Sequence, residues 1–131
     1  MSNEIMNASN SDYICTVDTN SAAGAIAIFN AISSAKSLAS IGDDIFTVVD
    51  IVTRPSVRSI TNEPCTSTYF ICDDGNIYFT QSDGINRSIN MFMELFKNSG
   101  LDIHTGIDMQ VVSNKTSKGN TIKSIRIVPK K

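Results

Sequence analysis

The sequence predicts a mainly β domain, a small barrel carrying one helix, and three observations predict it. Short runs rich in Val, Ile, Phe and Thr recur along the chain, each bounded by Gly, Pro, Asn or Asp. One stretch only, residues 81–100, repeats apolar side chains at three- and four-residue steps. After it come two alternating runs joined by a polar, basic loop, the pattern of an antiparallel pair with one wet face.

Taken in order, residues 13–17 and 25–31 are β-compatible and joined by a turn-rich link, so they predict an N-terminal hairpin. Residues 44–52 (DIFTVVDIV) have the density of a core strand. Residues 53–66 contain Pro55, Asn62 and Pro64 and predict a long loop. Residues 68–72 and 76–80 flank Asp73-Asp74-Gly75-Asn76, a hairpin signal because Gly accepts the positive φ of a tight turn. With Ile77 taken as a core residue, alternation turns Phe79 inward and Tyr78 outward. In the helix, Ile85, Ile89, Phe92 and Phe96, with Leu95 beside them, make one apolar stripe, Ser82 or Asp83 caps its start, and Gly100 stops it. Residues 107–112 and 121–128 form the final hairpin. A helix between the third and fourth strands is the order of an OB fold. The prediction is therefore an OB-like five-stranded barrel over residues 13–131 with an added N-terminal hairpin, preceded by a mobile polar tail at residues 1–12.

Several functions find no support. No apolar run approaches the roughly 20 residues of a membrane span, and the first residues lack a signal-peptide pattern. With Cys15, Cys65, Cys72 and one histidine, His104, no paired ligand motif for zinc exists, and no cofactor is predicted. Asp73 and Asp74 suit a turn, Asp43 and Asp44 a strand start, and Asp50 stands alone within a strand. Neither a carboxylate metal centre, a nucleophile–histidine pair nor a glycine-rich phosphate loop is predicted, so no enzyme and no small-molecule substrate is expected.

Charge is more informative by position than by sum. The net charge is −2. Before residue 54 the only base is Lys36, against Glu4, Asp12, Asp18, Asp43, Asp44 and Asp50. From residue 115 onward Lys115, Lys118, Lys123, Arg126, Lys130 and Lys131 face no acid at all, and Arg54 and Arg58 flank Pro55. The bland reading is a solvated face. The sharper one joins these cations to aromatic side chains on barrel strands, the pairing with which OB folds hold single-stranded nucleic acid. Its candidates are Tyr78, Tyr69, Arg54, Arg58, Lys115, Lys118, Lys123 and Arg126, with packing as the alternative role of both tyrosines. A different class stays open: a protein-interaction module, such as an inhibitor of a host factor, working through the acidic half. DNA and RNA are not told apart by stacking and phosphate contacts.

The stretches TVDTNSAAGAIAIFNA (16–31), Ser37-Leu38, VVDIV (48–52), DGNIY (74–78), Ser82, the helix, VV (111–112) and TSKGN (116–120) carry a resemblance. In order and spacing, from about residue 13 to 128, the chain resembles the single-stranded DNA-binding proteins of phages that replicate linear genomes by protein priming. Relatives on mobile elements of Gram-positive bacteria share the pattern. The resemblance implies sequence-independent coating of displaced strands in the bacterial cytoplasm, with partners extending to replication proteins such as a DNA polymerase. It implies that Tyr78 stacks on a base and that Lys118 lies on a hairpin contacting DNA. Where some members carry tyrosines in the loop at 53–66, this chain has Arg54, Val57, Arg58 and Ile60, which implies contact there by charge or cation–π attraction.

Overall fold

The computed structural model describes residues 14–17, 21–58, 60–96 and 99–129; the expected tail at 1–12, Tyr13, Lys130 and Lys131 lie outside them. The elements are β1 (Ile14–Cys15), α1 (Ala22–Ser34), β2 (Lys36–Ser37), β3 (Phe46–Val57), β4 (Pro64–Cys72), β5 (Ile77–Thr80), α2 (Asp83–Phe96), β6 (Ile107–Lys115) and β7 (Thr121–Ile127). Short 3₁₀ turns cover Leu38–Ile41 and Ile103–Thr105. One sheet holds all the strands in the order β2-β5-β4-β3-β6-β7, with β1 added beside β3. After α2, β6 returns to pair with β3 (Phe46 opposite Met109), which curls the sheet. The mainly β, barrel-like class holds, and β3, β4, β5, α2, β6 and β7 follow in the expected order.

Two local expectations fail for physical reasons. Residues 25–31 are not the second arm of a hairpin; they lie in α1, while β1 pairs with β3 instead. Ser21 accepts the Gly24 N–H (2.9 Å) as an N-cap, and Gly24, Ile28, Ala31 and Ile32 then fall on the face turned to the sheet. Because α1 is apolar nearly all round, its helical period is masked and AIAIF imitates a strand. The long loop expected at 53–66 is mostly strand: β3 runs on to Val57 and pairs with β4 from Pro64. Pro55 and Pro64 are compatible with this, since β3 lacks a second neighbour at Pro55 and Pro64 opens its strand.

Two helices cover two faces of the sheet. On one face Phe46, Val48, Ile51, Phe70, Tyr78, Met109 and Val111 pack with Ile85, Ile89 and Phe92 of α2. On the other, Val52 and Tyr69 pack with Ala31 and the half-buried Ile28, Ile32, Ile77 and Phe79. A bulge between Val48 and Asp50 resets the alternation of β3, so that Val48 and Ile51 both point to the first core.

The seating of α2 on the first face is the tightest joint. Asn86 is buried; the Thr68 hydroxyl bonds to its Oδ1, and its Nδ2 donates to the Thr66 carbonyl (2.7 Å). Two residues earlier, Gly84 lies so close to β7 that a Cβ there would stand 2.0 Å from the Lys123 carbonyl oxygen. Ser88 Oγ accepts the Ile125 N–H (3.2 Å), so the helix also closes the open edge of β7. Gly84→Ala must therefore push α2 off β7, and overpacking of this kind typically costs about 1–3 kcal/mol. Chemical denaturation should show that loss as a lowered midpoint; an unchanged midpoint would mean that the helix slides freely.

Candidate nucleic-acid interface

The aromatic side chains come first, because the structure reverses their expected directions. The turn at 73–76 closes with the Cys72 N–H donating to the Asn76 carbonyl (2.9 Å), and this fixes Phe70 opposite Tyr78 and Tyr69 opposite Phe79. Tyr78 therefore shares the inner face with Phe70, is 9% exposed, and meets Phe46 edge-on with ring centroids 6.1 Å apart. The outward direction expected for Tyr78 is corrected, and so is the inward one for Phe79. Phe79 is half-buried on the other face and stacks on Tyr69 at 6.1 Å and 28°. Tyr69 is itself 6% exposed, within the cluster that α1 covers. Using Ile77 to set the alternation misleads because Ile77 is a core residue of the second face, not the first.

A cleft of about 490 Å³ opens where β5 passes into α2, bounded across the gap by β6 and β7. Phe79, Gln81, Ser82, Val111, Ser113 and Lys123 are among its lining residues. Its size is within the range of ligand-binding clefts. On β7, Ile127 and Ile125 point to the core opposite Met109 and Val111, and Lys123, opposite Ser113, continues that face beyond it. Lys115, opposite Thr121, takes the next step outward. The ribbon ends in a turn in which Gly119 donates to the Thr116 carbonyl (2.9 Å), with Lys118 exposed at its tip. Lys115, Lys118 and Lys123 thus form one cationic track leading out of the cleft, and none has an ion-pair partner among the described residues.

The other predicted cations are placed differently. Arg126 alternates with Lys123 and points to the opposite face. Arg54 is on β3 rather than in a loop, on the same face as Tyr69, and its Nε is buried with no hydrogen-bond partner among the described residues. Arg58 is committed within the protein: it donates to Asp83 (2.9 Å) and to the Gln81 carbonyl (3.3 Å). Gln81 in turn donates to Ser67 (3.1 Å) and, at greater length, to Ser56 (3.4 Å). From the sequence Phe79 is expected to point inward and so is set aside as a contact, and Gln81 is not singled out. The fixed register of the 73–76 turn was the signal that could have found Phe79; nothing local marks Gln81.

Asp74, Cys72, Asp50 and Asp102 are engaged within the fold. Asp74 accepts the Asn76 N–H (2.9 Å), which with the Asn76 side chain holds its pKa below the ordinary value. Burial, with the nearby Asp74 and Asp73, pushes the Cys72 thiol up to about 12, so it stays protonated. Among the described residues no three His, Cys, Asp or Glu side chains gather as a metal site, and no helix is long and apolar enough to cross a membrane. His104 does find partners that its sequence neighbours do not reveal: its Nε2 meets Asp50 and its Nδ1 meets Asp102, each at 2.9 Å. Thr16 donates to Asp50 (2.7 Å) rather than to the ring, so this is a tie between the residue after β1, β3 and the second 3₁₀ turn, not a nucleophile with its base.

A curled, mainly β domain with a cleft at its rim and a lysine-bearing ribbon leading from it defines the class: a small β-barrel-like protein. The sequence matches the family of phage single-stranded DNA-binding proteins over residues 7–128, and the chain belongs to that family. Single-stranded DNA in phage replication is accordingly its partner and setting. No curated protein and no solved structure matches it.

The His104 tie gives a pH signature. Partial burial alone would lower the imidazole pKa; the hydrogen bond to Asp102 and the Asp50 charge outweigh it and raise the pKa. Asp102 is held below its ordinary value by the His104 N–H and side chain. The histidine contribution is full below about pH 6.5 and is lost as pH rises through the higher folded value. The Asp102 contribution is present above about pH 3.9 and is lost as pH falls through the lower folded value. Denaturation of wild type and His104→Ala across pH should thus show the largest gap between roughly pH 4 and 6.5, narrowing above it. A gap that does not vary with pH would exclude the tie.

Proposed function

We propose that the protein coats single-stranded DNA without sequence preference, protecting strands displaced during replication of a phage or mobile element. The observation that carries this reading is the unpaired Lys123 in the rim cleft beside Phe79, continuous with Lys115 and Lys118 on the β6–β7 ribbon. The strand lies along this rim. The cations neutralise phosphates, and Phe79, whose inner side rests on Tyr69, offers the aromatic edge against which a base packs. Tyr78 backs this wall from within the core instead of stacking. Arg54 and Arg126 extend the positive surface onto the other face, while Arg58 mainly positions Gln81 and the start of α2. The bacterial cytoplasm and contacts with replication proteins, a DNA polymerase among them, belong to the same reading.

Fluorescence titration with single-stranded DNA, duplex DNA and RNA at two salt concentrations tests it. Affinity for the single strand should fall with salt at a log–log slope of about −0.7 per phosphate neutralised. Lys123→Ala should make that slope shallower. Equal affinity for duplex would sink the reading. Binding no tighter than to dextran sulfate, together with stoichiometric capture of a host protein, would favour the interaction module instead.

The two aromatic positions give a sharper discrimination. Phe79→Ala should weaken single-strand binding by roughly 1–3 kcal/mol, the usual worth of a stacking contact. Tyr78→Phe, which keeps the packing against Phe46, should bind as wild type does. The opposite pattern would return the stacking role to Tyr78.

A further inference from the structure

Helix α1 is not used by the DNA-coating reading, and its outer side is unusual. From Ala22 to Ser34 it has no charged residue, and Ile26 and Phe29, one turn apart, are 60% and 70% exposed. A solvent-facing helix side normally carries charge. On the other face of the sheet, the C-terminal end of α2 and the second 3₁₀ turn frame an apolar groove of about 180 Å³. Thr16, Phe92, Met93, Phe96, Leu101 and Ile103 line it, with no charged side chain among them, and the tilted Phe92–Phe96 pair forms part of its wall. An apolar cavity of about 150 Å³ accommodates a benzene ring, so the groove is the size of one phenylalanine ring.

We propose that Phe29 of one copy docks into the α2 groove of the next, joining copies head to tail. The knob and the groove are different surfaces on opposite faces of one sheet, so their union is heterologous and does not close into a two-fold dimer. That is the symmetry needed to string copies along a strand. Size also argues for a second copy held on DNA. A helix of 13 residues is about 20 Å long, and with a width of about 10 Å it covers on the order of 200 Å². Stable interfaces need about 800 Å² per partner, so the contact is weak between free monomers. It becomes populated when neighbours on one strand raise the effective concentration to the millimolar range. The DNA part of this inference rests on the coating reading; the contact itself does not.

Two measurements separate these. In the first, affinity is compared on a short oligonucleotide holding one copy and on a long one holding many. Phe29→Ser and, from the groove side, Leu101→Glu should bind the short strand as wild type does and lose about ten-fold or more on the long one. Equal losses on both strands, or none, would overturn the head-to-tail contact on DNA. In the second, benzoylphenylalanine replaces Phe29 and the protein is irradiated without DNA at about 1 mM, a concentration matching the effective one on a strand. Crosslinks to residues 92–103 of another copy support the contact even if DNA binding fails altogether. Crosslinks within residues 22–34, or no crosslinked dimer, overturn it in favour of helix-to-helix pairing or of a different protein as the occupant.

Discussion

The joint on which the fold depends is the seat of α2. Its first turn approaches β7 so closely that only glycine fits at position 84, and two residues on it is fixed to β4 through the buried Asn86, Thr68 and Thr66. A buried amide with its partners in place is stabilising, whereas one left unsatisfied costs about 1–3 kcal/mol, so this triad specifies one position of the helix. With the helix seated, β7 has its edge covered and the first core is sealed. The gap between β5 and β7 becomes a cleft with defined walls. Asp83 also comes within reach of Arg58, and the Gln81 backbone is held between them. The rim surface is thus a product of helix docking as much as of the sheet.

Coverage of both sheet faces by helices explains which parts of the fold the sequence disclosed. The β4–β5 turn was legible because Asp73-Asp74-Gly75-Asn76 has one favoured geometry, and Gly75 takes the positive φ of 87° that it requires. Helix α2 was legible because one side is apolar and the other polar. Helix α1 was not, since it rests on one side and presents Ile26 and Phe29 on the other. Pro55 and Pro64 suggested a loop because proline removes a donor, yet both occupy positions where β3 and β4 need none.

The candidate surface shows the same division. Lys115, Lys118 and Lys123 could be named from the charge reversal alone, but charge groups Arg126 with them, whereas the alternation of β7 points it to the opposite face. Tyr78 and Phe79 could not be oriented by a rule that assumes a single buried face, because both faces of β5 are apolar. Arg54 and Arg58 look equivalent in sequence, but one retains an unpaired buried nitrogen and the other is tied to Asp83, a residue 25 positions away. Partners so distant in sequence leave no local mark, as the meeting of His104 with Asp50 also shows.

A sheet buried on both sides has little neutral surface on its strands. In a one-sided sheet every second strand residue is free to vary with the ligand; here most such positions belong to one core or the other. Variation is left to the rim, the turns and the β6–β7 ribbon, where lysines can be gained or lost with little effect on packing. Packing and surface charge thereby draw on nearly separate sets of residues, and the charge of the lysine track can drift while the scaffold stays fixed. Phe79 lies at the boundary between them, stacked on Tyr69 and among the residues that line the cleft.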